Sequence, residues 1–221
     1  MGYLITIEGG EYVGKTSVAI PAVLSFFKQA GYDAITSREP GGTPKGEAIR
    51  AEIFTKLKKG ASQLQLAKLF NKARKIHINE IIKPYLGSLK EKKAVVILDR
   101  YLDSTRVYQG LEGGVDLKTI HDLEKRYVGS FFPDLTIILY FPEKIFEKTL
   151  VARMKGDLAS RDYTEWDKSS TADHLKRQRK YLSLPKLAKK LHENRQFALI
   201  DASKSPKDVA KLCIDSCKAL L

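Results

Sequence analysis

Short apolar runs alternate with longer amphipathic stretches along this chain. Five runs have the length of β-strands, and we predict strands at 4–8, 33–36, 94–99, 135–141 and 197–201. The runs at 94–99 and 135–141 are apolar without alternation, which is typical of central parallel strands that helices cover on both faces. Helical patterns fill the intervals, and we predict helices at 15–30, 64–86, 117–128, 144–154, 172–192 and 206–221. This alternation predicts an α/β protein with a parallel sheet, which binds its ligands beyond the carboxyl ends of the strands.

The composition is that of one ordered domain. The 221 residues are enough for a sizeable core, and no linker rich in Pro, Gly or Ser divides them, so we predict a single domain over 1–221. Hydrophobic residues make up 43%, which allows enough burial to offset the entropy of ordering the chain. No apolar run reaches the roughly 18 residues of a membrane span, and the N-terminus lacks a signal peptide. We therefore expect a cytoplasmic protein with no membrane contact.

The chain is strongly basic, with a formal net charge of +13 and an isoelectric point near 9.6. This charge fits a protein that neutralises nucleic-acid phosphates, and it fits equally an enzyme with a lysine-rich surface that handles small phosphates. The basic residues are spread along the chain, and no aromatic-interleaved RNA motif is present. Charge alone does not choose between these two functions.

A phosphate-binding loop follows the first predicted strand. The segment Gly9-Gly10-Glu11-Tyr12-Val13-Gly14-Lys15-Thr16 matches G-x-x-x-x-G-K-[ST], with a strand before it and a helix after it. Glycines let the backbone N–H groups turn toward phosphates, and the helix adds its positive N-terminal end. Lys15 can reach the β- and γ-phosphates, and Thr16 can place its hydroxyl on Mg²⁺. The motif predicts a nucleoside triphosphate site without deciding between a small-molecule kinase, a GTPase and a motor.

Three further segments carry chemistry beside this loop. The turn at 38–44 combines Pro with paired Gly, and its Arg38 can face an anion, as can Arg50 further on. The strand at 94–99 ends in Asp99, a candidate Mg²⁺ ligand, and Arg100, which can clamp a second phosphate. Phe70 and Arg74 share a helix face, where an aromatic ring can stack on a base beside a cation. Each feature alone also fits a simpler role. The two arginines fit solvated surface charges, Asp99 with Arg100 fits a structural ion pair, and Phe70 fits a core residue.

In their order and approximate spacing, these segments together resemble the thymidylate kinases over essentially the whole chain. The matching segments are 7–16, 38–43, 69–77, 99–109, 133–136 and 200–202. The resemblance implies a three-layer P-loop NTPase fold, with a five-stranded parallel sheet flanked by helices and a lid at 155–167. It also implies phosphorylation of dTMP to dTDP by ATP, with Mg²⁺ as cofactor and commonly in a homodimer. Nucleic acid is not expected as a partner.

The resemblance also implies roles for individual residues. It implies ATP contacts at Gly9, Gly10, Glu11, Tyr12, Val13, Gly14, Lys15, Thr16, Ser17 and Arg153. It implies dTMP contacts at Glu11, Arg38, Pro40, Arg50, Phe70, Arg74, Arg100, Ser104, Tyr108 and Gln109. The predicted catalytic residues are Lys15, Asp99, Arg100 and Arg161, and the predicted Mg²⁺ ligands are Thr16 and Asp99.

Within the dTMP set, the resemblance implies that Phe70 stacks on thymine and that Arg74 hydrogen-bonds the base. Glu11 would lie near the sugar 3′-hydroxyl, and Arg50 would hold the monophosphate together with Arg100. The ring of Tyr108 would lie under the sugar and disfavour a 2′-hydroxyl.

Several residues depart from the family pattern, among them Tyr12, Val13, Arg106, Val107 and Tyr140. Some relatives carry an arginine at the position of Tyr12, so we expect the catalytic cation to come from the lid instead. The candidates are Lys155, Arg161 and, at the base of the lid, Arg153, and Arg161 is preferred because its planar guanidinium suits phosphate. Two other functions stay open. One is a kinase for another nucleotide or small phosphate acceptor, and the other is a binding protein that has lost catalysis. The intact Lys15 and Thr16, with Asp99 and Arg100, argue against the second.

Overall fold

The computed structural model of the protein describes residues 1–88, 90–157 and 169–221, and these contain a central five-stranded sheet. The strands are β1 (Tyr3–Gly9), β2 (Asp33–Arg38), β3 (Ala94–Asp99), β4 (Leu135–Tyr140) and β5 (Gln196–Asp201). Every adjacent pair is parallel, and the spatial order is β2-β3-β1-β4-β5. The predicted parallel sheet is confirmed, with small shifts at the ends of its strands.

Helices cover both faces of this sheet. They are α1 (Ile20–Gln29), α2 (Pro44–Lys58), α3 (Gln63–His77), α4 (Lys83–Leu86), α5 (Leu102–Thr105), α6 (Leu117–Val128), α7 (Phe146–Asp157), α8 (Thr171–Leu182), α9 (Leu184–Lys190) and α10 (Pro206–Lys218). Ile5, Ile97 and Ile137 pack in one apolar cluster with α1 and α10. Leu4 and Val96, their neighbours in sequence, pack in another cluster with α4 and α6. Because successive strand residues point to opposite faces, this alternation gives the three layers of the predicted fold.

Hydrophobic periodicity missed helix α2. The helix is capped by Thr43, whose hydroxyl accepts a hydrogen bond from the N–H of Gly46 at 3.0 Å, and Pro44 occupies its first turn. Its buried apolar side chains are Ile49 and Ile53, which make a narrow stripe. The Thr-Pro pair and the spacing of those two isoleucines were the available signals.

Two π turns explain how prolines fit into the helical stretches. The turn Lys15–Ala19 precedes Pro21 in α1, and the turn Ile78–Ile82 precedes Pro84 in α4. A proline inside a helix has no N–H to donate, and its ring clashes with the carbonyl four residues earlier. The wider hydrogen bonding of a π turn relieves that crowding. A third π turn, Arg106–Glu112, follows α5, and neither element was predicted.

Two other predicted elements need correction. The helix predicted at 172–192 is two helices, α8 and α9, because Pro185 begins a new helix after Ser183. The predicted lid overlaps the end of α7, and its residues 158–167, with Arg161 among them, lie outside the described residues. No helix in the described ranges is both long and apolar enough to cross a membrane.

Arg106, which departs from the family pattern, lies in a buried ionic cluster. It donates to Glu124 at 2.6 and 2.8 Å and to Glu193 at 2.5 and 3.0 Å. Arg195 in turn donates to Asp103 at 2.6 and 2.7 Å. Burying a charge is costly unless it is paired. The cluster therefore ties α6 and the segment before β5 to the helical stretch that follows β3.

Candidate active site

The phosphate loop connects β1 to the π turn that begins at Lys15. Gly9 and Gly14 have φ angles of 129° and 87°, which favour glycine. A Cβ on Gly9 would lie 2.4 Å from the carbonyl oxygen of Leu139, so this position has no space for a side chain. Tyr12 also has a positive φ, 64°, and its side chain is buried. These conformations give the loop its curved backbone.

The amine of Lys15 is buried against the inner side of the loop. Its Nζ donates to the carbonyl oxygen of Gly10 at 2.6 Å and to that of Gly9 at 3.4 Å. Burial, helped by the neighbouring charge of Arg100, lowers the pKa of Lys15 to about 8. A phosphate that entered the loop would meet this amine and could replace the two carbonyls as its partner.

Thr16 and Asp99 place two oxygen atoms together beside the loop. Thr16 Oγ1 donates to Asp99 Oδ2 at 2.6 Å, and both residues line a cavity. Hydroxyl and carboxylate oxygens are hard ligands, which Mg²⁺ combines with water and phosphate oxygens. This donor set is therefore suited to Mg²⁺.

The cavity has a volume of about 290 Å³ and lies at the carboxyl ends of β1, β2 and β3. All ten residues of the predicted dTMP set line it: Glu11, Arg38, Pro40, Arg50, Phe70, Arg74, Arg100, Ser104, Tyr108 and Gln109. Sequence reasoning missed four other lining residues, Glu39, Phe54, Tyr101 and Thr105. Three of these are next to predicted residues in the sequence, and Phe54 lies one helical turn after Arg50. Proximity to the motifs was therefore a usable signal.

Arg100 is oriented by several partners at the centre of the site. Its backbone has a φ of 66°, and its Nη1 donates to Gly9 O at 3.1 Å, Ser104 Oγ at 3.2 Å and Tyr181 OH at 2.7 Å. Its Nη2 donates to Glu11 Oε1 at 3.1 Å. The guanidinium is thus held in place before a ligand binds, which lowers the entropy that binding must overcome.

The carboxylate of Glu11 accepts hydrogen bonds on both oxygens. Oε1 accepts from Arg100 and from the hydroxyl of Tyr108. Oε2 lies 3.1 Å from Arg177 Nη1 and 3.3 Å from His174 Nδ1. Burial alone would raise the pKa of Glu11, but the hydrogen bond to His174 and the two arginines hold it well below the usual range. Glu11 therefore stays ionised and links the phosphate loop to α8.

Helix α8 packs behind the cavity lining, against Glu11, Arg100 and Tyr108, and sequence reasoning missed this support. His174, Arg177 and Tyr181 follow one another at spacings of three and four, so they share one face of the helix. Arg177 lies 4.8 Å from the centre of the Tyr108 ring and also donates to Glu112 at 2.9 Å. The only sequence signal was this spacing of polar residues in a helix, which is common on solvated faces.

The other cationic residues of the cavity differ in exposure. Arg38 is largely exposed and pairs with Glu47 at 3.0 Å. Arg50 is half-buried, donates to the carbonyl oxygen of Pro40 at 3.1 Å and lies over the ring of Phe54. Both arginines therefore line the cavity from the side of β2 and α2.

Apart from the phosphate-loop residues, two predicted site residues are outside the cavity lining, and a third is not described. Arg153 donates to the carbonyl oxygen of Ala202 at 3.3 Å, beyond the end of β5. Ser17 is exposed in the π turn after the phosphate loop. Arg161 lies outside the described residues. The roles of all three stay predictions.

The arrangement defines a class of protein. A phosphate loop with a buried lysine lies beside the paired oxygen atoms of Thr16 and Asp99. The cavity that these two oxygens line is also lined by arginines and aromatic rings, and it opens at the same edge of the sheet. Transfer of a phosphoryl group between nucleotides requires a triphosphate loop next to a site that can hold a second phosphate. The fold and site are those of a P-loop nucleoside-monophosphate kinase.

Comparison with known proteins identifies the family. The family model described as Thymidylate kinase matches residues 7–212. The thymidylate kinase of Bartonella quintana (strain Toulouse) is 34% identical over 100% of this chain and 97% of its own length. That of Mesoplasma florum is 36% identical, over 93% of this chain and 90% of its own length. The chain belongs to the thymidylate kinase family, which confirms the resemblance and the predicted class of transferase.

Proposed function

We propose that this chain transfers the γ-phosphoryl group of ATP to dTMP and so forms dTDP and ADP. A phosphate oxygen of dTMP forms a bond to the γ-phosphorus, while the bond from that phosphorus to the β,γ-bridging oxygen breaks. The observation that carries the proposal is the cavity, whose lining contains every predicted dTMP contact and both predicted Mg²⁺ ligands. Lys15 lies in the adjoining loop.

The ATP side of the proposal rests on the phosphate loop. Its backbone N–H groups and Lys15 hold the β- and γ-phosphates. Thr16 and Asp99 would hold Mg²⁺, which supplies positive charge that offsets the charge of the transferring oxygens. Tyr12 brings no charge to the loop, so we assign the remaining cation to Arg161 in the lid.

The dTMP side rests on the cavity. Arg100 and Arg50 hold the monophosphate, because guanidinium groups match the geometry of phosphate oxygens. Phe70 stacks on the thymine, and Arg74 donates to it. The ring of Tyr108 under the sugar would crowd a 2′-hydroxyl and leave it buried without a partner. We therefore expect deoxyribose to be preferred to ribose, and we propose a cytoplasmic homodimer.

Turnover of a panel of acceptors tests this function. The purified chain is mixed with ATP, Mg²⁺ and, separately, dTMP, dUMP, dCMP, dAMP or UMP, and diphosphate formation is measured by chromatography. We expect dTMP to have the highest specificity constant and Lys15→Met to abolish turnover. Lys68→Met, a matched change at an exposed lysine of α3, should leave turnover intact. Preference for another acceptor, or turnover that survives Lys15→Met, would contradict the proposal.

A further inference from the structure

The guanidinium of Arg74 is almost fully used by the protein itself. Arg74 is 2% exposed, yet it lines the cavity. Its Nε donates to Glu39 Oε2 at 2.8 Å and its Nη1 to Asn71 Oδ1 at 3.1 Å. Its Nη2 donates to Tyr101 O at 3.0 Å and to Thr105 Oγ1 at 3.1 Å. These bonds occupy four of the five N–H groups of the side chain, and no acceptor among the described residues takes the fifth, on Nη1.

The partner of Arg74, Glu39, is itself held in place. Its second oxygen, Oε1, lies 2.9 Å from His77 Nδ1, and His77 Nε2 lies 2.7 Å from Ser37 Oγ. Glu39 and His77 are both buried. The turn at Gly42 closes over this chain of contacts, because a Cβ there would lie 2.5 Å from Ser37 Oγ. Glu39 therefore cannot turn away from Arg74 without breaking buried contacts.

We infer that Glu39, oriented by His77, is a positioning residue that sets the base specificity of the site through Arg74. This rests on the proposed function, in which the cavity receives dTMP. The ion pair cancels the charge of Arg74 and leaves one N–H for a ligand. A single donor cannot make the two parallel bonds by which arginine grips a phosphate. It suits one carbonyl oxygen, and the base is the part of dTMP that offers such an oxygen.

The pairing has a consequence for discrimination between pyrimidines. In the inferred orientation of the base, the N–H of Arg74 meets position 4, the ring position opposite the nitrogen that carries the sugar. Thymine and uracil carry a carbonyl oxygen at position 4, where cytosine carries an amino group. An amino group facing the fixed N–H of Arg74 would leave two buried donors without acceptors, which lowers affinity by roughly ten- to hundredfold. Arg74 cannot rotate to avoid that clash, since Glu39 and three other groups hold it. The site should therefore reject dCMP because of the contacts behind Arg74.

The variant Glu39→Gln tests the inference, because it keeps the shape of the side chain and removes its charge. Specificity constants for dTMP and dCMP are measured, together with the dissociation constants of both nucleotides by calorimetry. We expect the dTMP-to-dCMP ratio to fall at least roughly tenfold, mainly through a higher Michaelis constant for dTMP. The turnover number for dTMP should stay within about threefold, since Glu39 does not contact reacting atoms. Glu52→Gln, at an exposed position of α2, is the matched control and should leave the ratio unchanged.

A double-mutant cycle separates a positioning role from general damage. If Glu39 acts through Arg74, adding Glu39→Gln to Arg74→Gln should change the ratio by less than about twofold. Should Glu39→Gln not fold, His77→Gln disturbs the same chain of contacts and should lower the ratio by roughly threefold. Two results would overturn the inference. One is a folded Glu39 variant whose dTMP-to-dCMP ratio stays within about twofold of that of the unmodified chain, and the other is that the effects of Glu39→Gln and Arg74→Gln on this ratio simply add. Failure of the proposed function looks different, because the unmodified chain would then not bind or turn over dTMP.

Discussion

Raising the pH should weaken ATP binding, because the free chain carries Lys15 with a lowered pKa. Burial, and next the charge of Arg100, lower that pKa from 10.5 to about 8. Phosphates in the loop would replace the carbonyl oxygens of Gly9 and Gly10 as partners of the amine and favour its charged form. At pH values above the pKa that Lys15 has in the free chain, the binding of ATP must therefore take up a proton.

The size of the effect follows from the fraction of Lys15 that is already protonated. With a free pKa of about 8 and a charged amine in the complex, affinity for ATP should fall roughly eightfold between pH values of about 7.5 and 9. That factor corresponds to about 1 kcal/mol. The stability of the free protein should change in the opposite direction. The unfolded chain binds more protons between the two pKa values of Lys15, so the folded state gains stability as the pH rises through that window.

Titration calorimetry with ATP and Mg²⁺ over this pH range measures both affinity and, in buffers of different ionisation enthalpy, proton uptake. Lys15→Arg is the control, since a guanidinium stays charged throughout and should remove the pH dependence. An affinity that changes less than about twofold in the unmodified chain, or an equal slope in Lys15→Arg, would refute the reasoning.

Other side chains give sharper tests of single contacts. Phe70→Ala should weaken dTMP binding by about 1–3 kcal/mol, the scale of base–aromatic stacking, and unchanged affinity in calorimetry would make Phe70 a packing residue. Arg177→Met should raise the Michaelis constant for dTMP roughly tenfold, because Glu11 loses a buried cation, and Arg177→Lys should recover part of it in steady-state kinetics. An unaltered Michaelis constant for dTMP in Arg177→Met would exclude a role of α8 in substrate binding. Arg106→Met should lower the free energy of unfolding in urea by about 3–5 kcal/mol, because two buried carboxylates lose their cation. A loss below about 1 kcal/mol would show that the cluster is solvated.

The features that depend only on residues close together in the sequence could be predicted from the sequence alone. The continuous apolar runs at 94–99 and 135–141 indicated central strands, and β3 and β4 do lie on either side of β1. The phosphate loop was recognisable because its glycines and Lys15 act through local backbone shape. The lining of the cavity was also largely predictable, since the carboxyl ends of parallel strands meet at one edge and bring their loops together.

Only the tertiary structure decided how the buried charges are paired. Arg177 and Glu11 are 166 positions apart, and nothing near either of them in the sequence indicates the other. Arg74 was predicted from the sequence as a base contact, but its pairing with Glu39 depends on how α3 packs against the turn after β2. The same holds for Arg106, which was unexpected in the sequence and pairs with Glu124 of α6 and with Glu193 in the segment before β5. A buried charge needs a partner in space, and the order of residues along the chain does not specify which one the fold will supply.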